Sequence, residues 1–296
     1  MADSRLSWRG GSYADMAVKT HELDHRTIAA SAGLGIVGIT AAELTRSILG
    51  QTDAHSGQSP GLWLSVRVFA HFASIIRDEL RIAHEERGGP AVADNEFAIA
   101  GFFEDGTPGV ATLLMAKSGS AVSFRRPRED AELACVVIGE SSVKDLVYFT
   151  YLEAAKKNVD FHEPVASAFW YLISAGSESM RGIGGGLAIG ICLQDPRFRM
   201  TWPLVEVDGV RYYRGVPVAA RDVHADGRSA VWRLAIDMNE SARLDRLIED
   251  LKLSSCAARG KSMPHADRIP QFECTLDDLF KISPLHYAPE PDSLQG

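Results

Sequence analysis

Few side chains in this chain combine the types and spacing that chemistry needs. Asp3 and Lys19 are a carboxylate and an ammonium sixteen residues apart; taken alone, such a pair is an ordinary ion pair. Met1 carries a thioether, which cannot be deprotonated to attack a carbonyl. Ser141 follows Gly139 and Glu140 at the start of a helical pattern, where a serine commonly caps the helix. Cys135, Cys192, Cys256 and Cys274 are far apart and form no CxxC pattern. Cys135 and Cys192 lie in apolar, strand-like runs and are expected as buried thiols. The histidines are scattered, and His21 and His25 are expected to flank a turn, so no metal site and no cofactor are expected. The glycine run from Gly182 to Gly186 precedes Leu187 and Ala188, not the Lys-Ser/Thr of a phosphate-binding loop. It is read as a turn or a place of close packing. A Ser-His-Asp triad cannot be drawn from spacing, because its members meet in space.

The elements that would position these groups read as follows. Residues 1–38 are β-structure with turns, and a turn cluster falls at residues 8–12. Thr40 with Glu43 forms a capping-box pattern that starts a first helix. Residues 51–61 are polar and glycine-containing, hence a loop. In residues 62–86, Val66, Phe69, Ala73, Ile76, Leu80 and Ala83 recur at three- and four-residue steps. That is one buried stripe on a helix. Strands follow at 97–103 and 109–115 about a hairpin turn, then at 121–124 and 133–138. Helical patterns cover 142–157 and 164–175. A strand at 187–193 precedes a hairpin at 205–213, a strand at 231–236 and a helix at 241–253. The remainder is polar and proline-containing. Blocks of strands alternating with helix pairs suggest α+β layers, not βαβ units.

Composition narrows the function. The net charge of -8 argues against a sequence-independent grip on nucleic acid, which needs a dense basic surface. Tyr148, Phe149, Tyr151 and Phe161 near Lys156 and Lys157 therefore read as an amphipathic helix packed on a sheet. Apolar runs are broken well before the ~18 residues that a membrane span needs. No basic-then-apolar leader pattern opens the chain, and a cytoplasmic location is expected.

Ala2, Asp3, Ser4 and Arg5, followed by Lys19, resemble the Asp-Ser-Arg and lysine signature of proteasome β-type subunits, which are N-terminal nucleophile (Ntn) hydrolases. Further features in sequence order add to the resemblance, which covers about Met1 to Leu193. Gly38 follows an apolar strand and precedes a helix. Residues 98–102 resemble the family's apolar-glycine strand. Val136, Val137, Ile138 and Gly139 lead into a helix where the family places a Gly-Ser-Gly turn, and Gly185 with Gly186 resembles its late double glycine. There are departures too. No threonine precedes the aspartate, Glu140 stands where the turn's serine would be, and the family's aspartate and serine before the double glycine have no clear match.

The resemblance implies a four-layer αββα sandwich over residues 1–199 with a C-terminal extension over 200–296. It implies peptide or amide-bond hydrolysis of the threonine-protease type, with self-association into a ring or another homo-oligomer. Asp3 would orient Lys19, Lys19 would lower the local proton affinity beside the nucleophile, and the Gly38 N–H would face the oxyanion. Ser141, the first hydroxyl after Gly139, would stand in for the missing turn serine. Met1 corresponds to the interior of the family's second strand. About fourteen further residues, beginning with Thr, Ser or Cys, are therefore expected to precede it in frame. The alternative is a catalytically inactive structural subunit or relative of the same fold.

Overall fold

The computed structural model describes residues 1–7, 13–56, 60–89, 92–126, 136–139, 183–192, 204–219, 231–233 and 271–275, with single residues between 144 and 173. These form an α+β fold with mainly antiparallel sheets. The chain begins with the hairpin β1 (Arg5–Ser7) and β2 (Tyr13–Asp15). β3 (Thr20–Asp24) and β4 (Thr27–Ala32) then lead into α1 (Gly35–Ser56) and α2 (Leu62–Glu86). Three longer strands follow: β5 (Asn95–Phe102), β6 (Pro108–Ala116) and β7 (Gly119–Arg125). β8 (Leu204–Val207), β9 (Val210–Tyr213), β10 (Val216–Pro217) and β11 (Val231–Arg233) form a second sheet, and β12 (Gln271–Thr275) comes last.

The main sheet has six strands in the order β12-β7-β6-β5-β4-β3, so β3 is an edge. The helix pair packs on one face of it. Strand alternation sends Leu23, Ala29, Phe97, Ile99, Ala111, Leu113, Val122 and Phe124 into that interface. The helices answer with Val37, Ala41, Leu62, Trp63, Val66, Phe69, Ala70 and Ala73. Trp63 stacks on Phe124 with ring centroids 4.6 Å apart, and Phe69 meets Phe97 edge-on at 5.0 Å. Each large side chain buried here contributes about 1.5–3 kcal/mol. The alanines let the helices lie close to the sheet.

The periodic helix of residues 62–86 is present as expected, with Val66, Phe69 and Ala73 fully buried and Ile76 and Leu80 packed against them. The hairpin expected at 205–213 is also present. Its turn residues Asp208 and Gly209 have φ of 50° and 77°, the backbone that an Asp-Gly hairpin turn requires.

Several expectations fail for identifiable reasons. The first helix starts at Gly35, not Thr40, so Thr40 lies inside it and cannot cap it. Gly33, with φ of 106°, ends the strand run, and a Cβ there would meet the carbonyl oxygen of Asp94. The helix also runs on to Ser56 through the expected loop. Residues 136–138 are not a strand. The tail contributes β12, whose Phe272 and Cys274 register with Phe124 and Val122 of β7. The turn cluster at 8–12, Ser141 and the helix expected at 241–253 lie outside the described residues. Of the helical patterns at 142–157 and 164–175, only Lys144, Val147, Tyr148, Ala166, Phe169, Trp170 and Ile173 are described, all helical.

Candidate functional site

Asp3 lies between the bridge at Ala2 and the start of β1. Ala2 exchanges two backbone hydrogen bonds with Ala188, of 2.9 and 2.8 Å, which anchors this end of the chain beside residues 184–188. From there Asp3 reaches three donors. Lys19 Nζ donates to Oδ1 at 2.8 Å, while the Arg5 and Gly184 backbone N–H groups each donate to Oδ2 at 3.2 Å. Lys19 is 18% exposed and Asp3 12%, so the pair is largely shielded and its geometry is fixed from several sides. Two backbone N–H donors and an ammonium thus hold the carboxylate in one orientation.

A second layer of contacts holds Asp3 in turn. Ser4 Oγ accepts from the Gly186 N–H at 2.8 Å, and the Ser4 carbonyl accepts from the Ala17 N–H at 2.8 Å. Arg5 is buried and grips Asp15 through Nε and Nη2 at 2.7 and 2.8 Å. That bidentate bond holds the guanidinium pKa above its ordinary value, and the Tyr13 ring covers it at 3.9 Å. The glycine run is thus the expected place of close packing. Gly185 has φ of 80°, and a Cβ there would strike Ser4 Oγ.

Lys19 leads into β3, and its carbonyl accepts the Ser31 N–H of β4 at 3.0 Å. Ser31 is buried and touches Gly38, where a Cβ would lie 2.8 Å from Ser31 Cβ and 3.4 Å from the Phe97 ring. Gly38 therefore sits in the first turn of α1 as a close-approach glycine. The glycine at the strand-to-helix junction is Gly33. The fold brings Asp3 and Lys19 into contact and places Ser31 and Gly38 on the next strand and helix. Ser141 is outside the described residues.

Spacing alone passes over several neighbours: Ser4, Asp15, Ser31, Gly184 and Arg214. The signal for Ser4 was present in its place beside Asp3. Nothing local marks Arg214, whose Nη2 donates to the Thr20 carbonyl at 2.5 Å across 194 residues.

Reading the histidines as scattered missed that His21, Glu22, Leu23, Asp24 and His25 spell HExxH, a zinc-protease motif. That chemistry needs a helix that sets both imidazoles on one face. Here the run is an edge strand with a register shift between Glu22 and Asp24, followed by a turn. No group of three His, Cys, Asp or Glu side chains suited to a metal occurs among the described residues.

Two other groups on or near β3, the buried Asp24 and the part-buried Cys192, have shifted titration. Asp24 accepts from Ser65 Oγ and from the Arg26 N–H, both at 2.7 Å, yet burial raises its pKa. Cys192 is pushed up to about 12 by burial and by the Asp24 and Glu22 carboxylates. That thiol stays protonated at neutral pH and is not an activated nucleophile.

No protein-family model and no curated protein matches this chain. Among solved structures, it is similar to the helical assembly of the Anbu complex from Pseudomonas aeruginosa. The identity is 15%, with 90% of this chain and 94% of that chain covered and a TM-score of 0.41. An overlap that loose assigns neither a fold nor a role. Among the described residues, no helix is long and apolar enough to cross a membrane.

Proposed function

We propose that this chain is a proteasome-like Ntn-hydrolase-fold protein, which hydrolyses peptide or amide bonds if a Thr, Ser or Cys nucleophile is set beside Lys19 from upstream of Met1. The observation that carries this reading is the shielded Lys19–Asp3 pair at 2.8 Å, with Asp3 further bound by two backbone N–H groups. An ammonium fixed in this way lowers the proton affinity of a hydroxyl or amine set beside it and so favours the deprotonated, attacking form. In this reading Lys19 activates, Asp3 orients Lys19, and the Gly38 N–H in the first turn of α1 is the oxyanion donor. Ser141 is retained as a supporting hydroxyl.

The same reading takes strands β3 to β7 and the helix pair as half of a four-layer αββα sandwich over residues 1–199, to whose sheet β12 adds an edge strand from beyond that range. Residues 200–296 form an extension, and copies self-associate into a ring or another homo-oligomer in the cytoplasm. The second reading is an inactive structural relative. It is favoured by one observation: among the described residues, the hydrogen bond that Lys19 Nζ makes is to Asp3, and no hydroxyl or thiol shares it.

The test begins by sequencing the N-terminus of the native protein. The native and Lys19→Ala proteins are then assayed on fluorogenic peptide and acyl-amide substrates. Our reading expects a Thr, Ser or Cys N-terminus upstream of Met1 and turnover that Lys19→Ala abolishes. A native N-terminus at Met1 or Ala2, without turnover, would leave the structural relative.

A further inference from the structure

The two-residue turn between β9 and β10 packs against the Asp3–Lys19 cluster. Arg214 and Gly215 both have positive φ, 53° and 84°, and a left-handed arginine is uncommon. Its guanidinium is partly buried against the open edge of β3, where Nη2 donates to the Thr20 carbonyl, the residue after Lys19. Gly215 packs on the other half of the same cluster: a Cβ there would lie 3.0 Å from Ser4 Cβ and 3.3 Å from the Gly186 carbonyl oxygen. Tyr212 lies against Gly186, and its ring packs on Trp170 at 5.3 Å. One turn is therefore seated both on the strand that leaves Lys19 and on the segment that holds Asp3.

His21 is the next residue on β3 after Thr20, which carries this contact. It is 7% exposed, and its Nε2 has no hydrogen-bond partner among the described residues. The charged group that opposes its protonation is Arg214. Around Arg214 itself stand Glu22 on β3 and Glu43 and Arg46 on α1, with Tyr213 beside it in the hairpin. The two carboxylates favour the guanidinium, Arg46 opposes it, and burial lowers its pKa. A second buried cation at His21 would have to be accommodated against Arg214.

We propose that the Arg214–Gly215 turn is an acid-opened latch on the Lys19 edge of the sheet, released when His21 becomes charged. Opening lets water reach the imidazolium and separates the two cations. It frees the Thr20 carbonyl and the outer edge of β3 beside Lys19. The neutral state is favoured at pH 7, since burial and Arg214 hold the His21 pKa down at about 4. The latch is independent of the hydrolytic reading, because it requires only the contact between the hairpin and β3.

Hydrogen exchange on the full chain tests it, with rates corrected for intrinsic pH dependence and peptides from residues 204–218 compared with those of β5 and β6. Between pH 7.5 and 5, the wild-type hairpin should lose protection by up to about 30-fold relative to β5 and β6. His21→Leu should keep its protection over that range. Arg214→Gly suits the left-handed backbone, leaves the core untouched and removes the cation. Its hairpin should be less protected already at pH 7.5 and should change little with acid. Hairpin protection that is flat in the wild type, or falls equally in wild type and His21→Leu, would overturn the latch. So would an Arg214→Gly hairpin as protected as the wild type at pH 7.5.

Discussion

Cys192 gives a sharp quantitative test of the electrostatics on the sheet edge. Its thiol moves from an ordinary pKa of 9.0 to about 12, through burial first and then the Asp24 and Glu22 carboxylates, with Arg26 opposing. At pH 8 an ordinary thiol is roughly 9% thiolate, whereas one at about 12 is roughly 0.01% thiolate, a loss of about 900-fold. The rarer thiolate is intrinsically more nucleophilic; a Brønsted slope of about 0.45 over three units returns roughly 20-fold. The population term wins, and Cys192 should alkylate about 40-fold more slowly than an unperturbed thiol, before any steric shielding. Iodoacetamide labelling read at peptide level resolves Cys192 from the other three cysteines. Its log rate should climb with unit slope from pH 7 past pH 10, with no plateau near 9. Glu22→Gln should raise the rate at fixed pH and Arg26→Gln should lower it. In urea the rate should return to that of a free thiol. A plateau near pH 9 in the folded protein, or an ordinary rate at pH 8, would refute both the burial argument and the dismissal of Cys192 as a nucleophile.

Other outcomes follow from the same geometry. Lys19→Ala leaves the shielded Asp3 carboxylate without its ammonium, and urea unfolding should show a loss of about 1–3 kcal/mol, mostly absent when Asp3→Ala is already present. Gly185→Ala forces a Cβ into Ser4 Oγ at a positive φ and should cost about 2–4 kcal/mol by the same measurement. His21 has a folded pKa depressed from 6.5 to about 4, so its stabilising contribution is complete above 6.5 and is lost as pH falls towards 4. Unfolding free energies should therefore show His21→Leu gaining about 2 kcal/mol on the wild type between pH 7.5 and 5. Asp24 has the opposite sign: its folded pKa is raised by burial, so its contribution is present below the ordinary carboxylate range and lost as pH rises through the raised value. Thermal melts of Asp24→Asn should improve relative to wild type from pH 4 to pH 7; a constant difference would show that burial does not penalise the charge.

The sequence by itself determined those elements whose signal is local and periodic. The Val66–Phe69–Ala73 stripe gives α2 because three- and four-residue steps bury one helical face. Asp208 and Gly209 give the β8–β9 turn because that dipeptide tolerates positive φ at both positions. Spacing alone showed Asp3 and Lys19 only as a pair of types; that Asp3 orients Lys19 came from the resemblance. The contact depends on the Ala2–Ala188 bridge and on Gly184, some 180 residues away along the chain. The start of α1 was misread because Thr40 and Glu43 spell a capping box, whereas the helix begins at Gly35. The space at Gly38, in its first turn, is set by Ser31 and Phe97, which leave little room for a Cβ there. Strand β12 was hidden in a polar tail, since a short alternation gains meaning only from a partner such as β7. The pairing of His21 with Arg214 was beyond any reading of spacing. Titration shifts arise from burial and from charges brought together by folding, and neither is a property of neighbouring letters in a chain.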